Sequence, residues 1–131
     1  MKRKDLAQLI DHTLLRPDAS YAAIRKLCEE ALQFGFHSVC VYPYYTEAVK
    51  ELLKGSNVRI TTVIGFPSGM TTTDEKVLEA MNAARTGADE LDFVINIGAL
   101  KSGTWDVVTK DISSNTLAVG FPARGIKKIV D

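Results

Sequence analysis

Asp92 sits inside an apolar run, Glu90-Leu91-Asp92-Phe93-Val94-Ile95-Asn96. A carboxylate in a buried strand is costly unless it is paired or hydrogen-bonded. Two readings stay open at this point. Asp92 is either a satisfied structural acid at a strand end, or an acid placed to move protons. The cysteines offer less. Cys28 and Cys40 show neither metal-ligand spacing nor a disulfide framework. His12 and His37 have no partners at readable spacing and read as structural or exposed.

The elements that must position Asp92 alternate between helical and strand patterns. Leu6, Leu9 and Ile10 predict a short first helix. Pro17 and Asp18 open a second, with Asp18 as its cap and Ala22, Ile24, Leu27, Cys28, Ala31 and Leu32 on its apolar face. Gly35 stands where a C-terminal glycine belongs. Ser38 to Tyr42 reads as a strand closed by Pro43, and Thr46 starts a third helix that Gly55 ends. A second strand spans Val58 to Phe66 and is closed by Pro67. Thr72 with Glu75 is a capping box for a helix that turns Val77, Ala80, Met81 and Ala84 inward and stops at Gly87. The third strand is Glu90 to Asn96. The strands are short, rich in Val and Ile, and expected to be covered on both faces. Tyr42, Tyr44 and Tyr45 read as core and loop packing.

Strands alternating with helices imply a parallel sheet with right-handed crossovers. No Gly-x-Gly-x-x-Gly follows the first strand, so a dinucleotide fold is not expected. An open α/β sheet and part of a (β/α)8 barrel remain. Both place chemistry at the carboxyl ends of the strands. Those ends are Tyr42-Pro43, Gly65-Phe66-Pro67-Ser68-Gly69 and Asp92 to Asn96, and the polar residues gathered there favour a functional Asp92.

Composition narrows the partners. Lys plus Arg and Asp plus Glu both number 16, so no net charge draws the chain to nucleic acid or an anionic membrane. No apolar run approaches the roughly 20 residues of a membrane span. The basic amino terminus runs into an amphipathic segment carrying Gln8 and Asp11, unlike the apolar core of a signal peptide. A reducing, cytoplasmic setting is expected.

Four blocks resemble deoxyribose-phosphate aldolase. They are Asp11-His12-Thr13-Leu14-Leu15-Arg16-Pro17, Val39-Cys40-Val41-Tyr42-Pro43, Val63-Ile64-Gly65-Phe66-Pro67-Ser68-Gly69 and Gly87 to Asn96, with Lys76, Glu79 and Ala80 between the last two. The resemblance covers about residues 4 to 112. It implies a partial (β/α)8 TIM barrel of class I aldolase type, made of the first three strands and their helices. It also implies cleavage of 2-deoxyribose 5-phosphate to glyceraldehyde 3-phosphate and acetaldehyde through a lysine Schiff base. No metal and no organic cofactor is then needed. Asp92 falls on the family's strand-borne acid in the proton relay. Asp11 and Thr13 fall on a motif whose polar groups border the pocket, and Cys40 on a cysteine that points into it. Taken alone, Asp11 reads rather as a residue that caps or terminates a helix, and Cys40 rather as a small core hydrophobe than as a reactive thiol.

The resemblance has a limit. The family's Schiff-base lysine lies in a segment like valine-lysine-threonine-serine-threonine-glycine on the sixth strand, and this chain has none. A second active-site lysine and the glycine-rich phosphate loops have no match either. Lys50, Lys54, Lys76, Lys101 and Lys110 fall on helices or loops by pattern. From about Val107 the chain resembles the tail of hexapeptide-repeat acyltransferases, so residues 1–112 and 113–131 are expected to form a barrel part and a divergent tail of strand, turn and basic helix. A full barrel takes about 250 residues. A partial one exposes strand edges and apolar faces, so a homo-oligomer or a partner chain is expected.

Overall fold

The computed structural model describes residues 3–104, and the expected tail lies outside them. The element order is α1 (Arg3–Ala7), β1 (Asp11–Thr13), α2 (Tyr21–Phe34), β2 (Ser38–Val41), α3 (Thr46–Leu52), β3 (Arg59–Ile64), α4 (Thr73–Thr86), β4 (Glu90–Phe93) and α5 (Ile97–Lys101). A 3-10 turn, Pro43–Tyr45, precedes α3. The four strands form one sheet in the order β1-β2-β3-β4. β1 pairs parallel to β2, and β2 parallel to β3. β4 follows suit: Asp89 N donates to Ile60 O and Val94 N to Ile64 O, so donors and acceptors climb together. The order never reverses, so there is no switch point of the kind that marks doubly wound sheets. The described chain is a run of a (β/α)8 barrel.

β1 is a strand that periodicity does not announce. Three residues are too few to show a period. Its place comes from register: Asp11 lies opposite Ser38, His12 opposite Val39 and Thr13 opposite Cys40.

The described residues group into two compact units, one of residues 3–62 with 83–90, the other of residues 63–82 with 91–104. In the first, α2 begins after Ser20, whose hydroxyl accepts from Ala23 N. Asp18 is not the cap; it binds Arg16 through two hydrogen bonds of 2.9 and 2.7 Å. Serine caps as well as aspartate does, and Asp18 has a local cation to satisfy it. Gly35 closes α2 in the left-handed region at φ 66°, as its position predicts. The core of this unit joins Ile24, Leu27, Cys28 and Ala31 of α2 to Val39 and Val41 of β2, Val49 of α3, Leu53 just beyond it, and Ile60 of β3. Each such side chain, fully buried, contributes about 1.5–3 kcal/mol. Leu32 and Ala22 are exposed, so the apolar stripe is narrower than the sequence suggests.

One face of this part of the sheet is apolar and the other is mixed. Alternation along β2 sends Val39 and Val41 to the helices and Ser38 and Cys40 to the other side. Both faces are covered, as expected, since every residue of β2 is buried; the second face is mixed, with Ser38, Thr61 and Glu90 beside buried Cys40. On the helix side, buried Thr62 is satisfied by the Thr46 hydroxyl at 3.0 Å.

In the second unit, Thr72 and Glu75 form the predicted capping box: Thr72 N donates to Glu75 Oε2 at 2.8 Å and Glu75 N to Thr72 Oγ1 at 3.3 Å. The inward face of α4 differs from expectation. Lys76 and Ala80 are buried, as is Ala83 in the helix's last turns, while Val77, Leu78 and Met81 are exposed.

Candidate functional site

In the first unit, polar groups converge at the amino ends of the strands. Ser38 Oγ donates to Asp11 Oδ1 at 2.6 Å. The Thr61 hydroxyl lies 3.0 Å from Ser38 Oγ and 3.1 Å from Glu90 Oε2. Glu90 Oε1 accepts from His37 Nε2 at 3.1 Å and from Arg59 Nη1 at 2.9 Å. Burial pushes the Glu90 carboxyl up, but the hydrogen bonds from His37, Arg59 and Thr61 outweigh it and hold it below the usual carboxylate range. Asp11, His37 and Glu90 present oxygen and nitrogen atoms within 4.8 Å of one another. Arg59 on the same Glu90 oxygen opposes a cation there, so the cluster works as a hydrogen-bonded network. At this end of the strands such a network serves stability.

Both histidines therefore have partners that spacing concealed. His37 binds Glu90, and His12 binds Glu30 at 2.8 Å. The His12 hydrogen bond holds the Glu30 carboxyl below its ordinary range.

Three of the four candidate site residues fall in the first unit. Asp11 and Thr13 lie on β1, and Thr13 Oγ1 donates to Asp11 O at 2.8 Å. Asp11 caps no helix; it accepts the Ser38 hydroxyl. Cys40 is buried on β2, opposite Thr13 in the register. Cys28 is a core thiol whose pKa burial raises to about 11, with Glu29 adding to the shift. Tyr45 packs as expected, donating its hydroxyl to Ala19 O, while Tyr44 is largely exposed.

Asp92 belongs to the second unit. It is half-buried on β4, two residues after Glu90. The loop from β3 to α4 is built against the end of its strand. Gly65 (φ 68°) and Gly69 (φ 68°) take backbone conformations that favour glycine. Gly69 N donates to Gly65 O at 2.8 Å, and a Cβ on Gly69 would stand 2.3 Å from Ile95 O. Glu79 Oε2 accepts from Gly65 N at 2.7 Å. Lys76, only 8% exposed, donates from Nζ to Val94 O at 3.2 Å. Sequence reading placed Lys76 on a helix and missed that it is buried. The available signal was its place on the Ala80 side of α4, three residues before Glu79. Beyond β4, the side chain of Asn96 caps α5 by accepting from Ala99 N at 3.0 Å.

This part of the strand set can present a half-buried carboxylate and a tightly held loop at strand carboxyl ends. Among the described residues, no strand carries a lysine.

The profile of the DeoC/LacD family aldolases matches residues 6–116. A deoxyribose-phosphate aldolase of Clostridium kluyveri is 50% identical over 130 residues, which are 99% of this chain and 59% of that protein. The solved aldolase QR15 superposes with a TM-score of 0.80 at 32% identity, over 92% of this chain and 58% of its own. The deoxyribose phosphate aldolase of Aeropyrum pernix, solved as a tetramer, gives 0.73 at 32% identity, over 89% and 52%. The chain thus spans a little over half the length of these proteins. No helix among the described residues is long and apolar enough to cross a membrane.

Proposed function

The chain belongs to the DeoC/LacD family of aldolases, and from that premise we propose that it carries part of a pocket for a phosphorylated deoxy-sugar and is not catalytic by itself. The family match over residues 6–116, in which Asp92 stands on β4, carries this reading. Asp92 serves as the acid of the proton relay. Asp11, Thr13 and Cys40 border the pocket.

The missing step is imine formation. A class I aldolase needs a lysine amine, partly neutral and aimed at the substrate carbonyl. In a class I aldolase the imine is the electron sink that lets the carbon–carbon bond break. Lys50, Lys76 and Lys101 lie on helices and Lys54 on the turn after α3; Lys110 lies outside the described residues. Asp92 can move a proton only after that nitrogen has bound the sugar. The expected behaviour is binding without turnover.

The test is incubation with 2-deoxyribose 5-phosphate and borohydride, read by mass spectrometry, alongside calorimetry. Binding with no adduct supports the proposal. A reduced adduct on any lysine overturns the claim of inactivity, and absent binding overturns the pocket.

A partner completes this reading. Val77, Leu78 and Met81 leave apolar area open on α4, as Ile97 does on α5. We propose that self-association, or a second chain bearing lysine strands, covers it. Light scattering is expected to show an oligomer; a folded monomer whose activity no second chain restores would refute this.

A further inference from the structure

We infer that Lys76 is a positioning residue: its buried ammonium fixes the carboxyl end of β4 and so sets the place of Asp92. The inference rests on Asp92 being the relay acid proposed above.

An ammonium is expensive to remove from water, and lysine usually keeps its head solvated while its stem packs. Lys76 does not: it is 8% exposed. A methionine would fill the same channel without that cost, so the nitrogen must contribute something the stem cannot. What it contributes is a donor to Val94 O at 3.2 Å. The amide of the same residue donates to Ile64 O at 2.9 Å. Both backbone groups of Val94 are thereby held, one by β3 and one by α4, just where the strand ends at Phe93. Val94 and Asp92 are two residues apart, so an extended backbone turns their side chains to one side. Fixing Val94 limits how far the Asp92 carboxylate can swing.

The neighbouring sequence is fitted to this lysine. A Cβ on Gly65 would lie 2.9 Å from Lys76 Cε, so residue 65 is vacated for the stem. Glu79, three residues on and on the same side of the helix, takes the Gly65 amide at 2.7 Å. Gly69 brings the loop onto the Val94–Ile95 backbone, where a Cβ would stand 2.8 Å from Val94 O. Helix, loop and strand end thus meet around one ammonium.

The experiment is NMR on the whole chain without ligand. In the unsubstituted protein, a coupling across the hydrogen bond should link Lys76 Nζ to the Val94 carbonyl carbon. Lys76→Met is expected to move the Asp92 carboxyl resonance and to speed amide exchange at Val94, Ile95 and Asn96 by about tenfold or more, while Val39 and Val41 stay protected. Lys76→Arg, which keeps the donor, should return the Asp92 resonance toward its original place. An unmoved Asp92 resonance in folded Lys76→Met, or equal acceleration at all five amides, would overturn the inference. Should that variant not fold, absence of the coupling in the unsubstituted protein would do the same. Sugar phosphate binding is measured separately: its loss with an intact Asp92 response refutes the proposed pocket and leaves the role of Lys76 standing.

Discussion

The two units solve different problems with different means. In the first, side chains meet side chains: Asp11, Ser38, Thr61, Glu90, His37 and Arg59 satisfy one another at the amino ends of the strands. In the second, backbone meets backbone. Gly65 and Gly69 bring a loop against the end of β4, and Lys76 and Glu79 tie it there. A polar network tolerates small adjustments, because hydroxyls and long side chains can re-aim. A backbone contact at glycine tolerates none. Precision near Asp92 is thus obtained from close approach, and cohesion elsewhere from charge and hydrogen bonding.

The sharpest test of that contrast is a pair of glycines. Gly69→Ala forces a Cβ to within 2.3 Å of Ile95 O at φ 68°, and should cost about 3 kcal/mol or more. Gly35→Ala faces nothing within 4 Å at φ 66°, and should cost only about 1 kcal/mol. Urea denaturation of both reads the difference; equal losses would erase the distinction between the units.

Glu90→Ala comes next. It leaves Arg59 and His37 without their shared carboxylate and should cost about 2 kcal/mol, measured by thermal unfolding. Glu90→Gln, which keeps the shape, should cost less.

The same carboxylate predicts an acid limb. Glu90 is held below its ordinary value of 4.5 in the folded state. Its contribution is therefore fully present above pH 4.5 and is lost as pH falls through the lower folded value. Melting temperature measured against pH should decline there, and the decline should be shallower in Glu90→Gln.

The smallest effects separate cap from bystander at the start of α2. Ser20→Ala should lose about 1 kcal/mol. Asp18→Ala, which removes an exposed partner of Arg16, should leave the melting temperature unchanged.

The helices and the three longer strands were legible because their signals are local. Gly35 and the Thr72–Glu75 box mark boundaries through the backbone groups they satisfy. Ser20 was overlooked beside Asp18 because both residue types cap, and the Arg16 that occupies Asp18 is seen only in three dimensions. β1 was hidden by its length. The pairs His12–Glu30 and His37–Glu90 span 18 and 53 residues, and no spacing rule reaches that far. Val77 and Met81 misled for a further reason. Periodicity reports that a helix has an apolar side, but the fit of Lys76 and Ala80 decides which side goes in. Asp92 was legible as an oddity, a charge where a strand should be apolar; Lys76, proposed to steady it, looked like any surface residue.

One consequence follows from the strand order β1-β2-β3-β4. Each strand finds its partner in the segment made just before it. A nascent chain leaving the ribosome can therefore lay down these four described strands in the order of translation, each on the one before it.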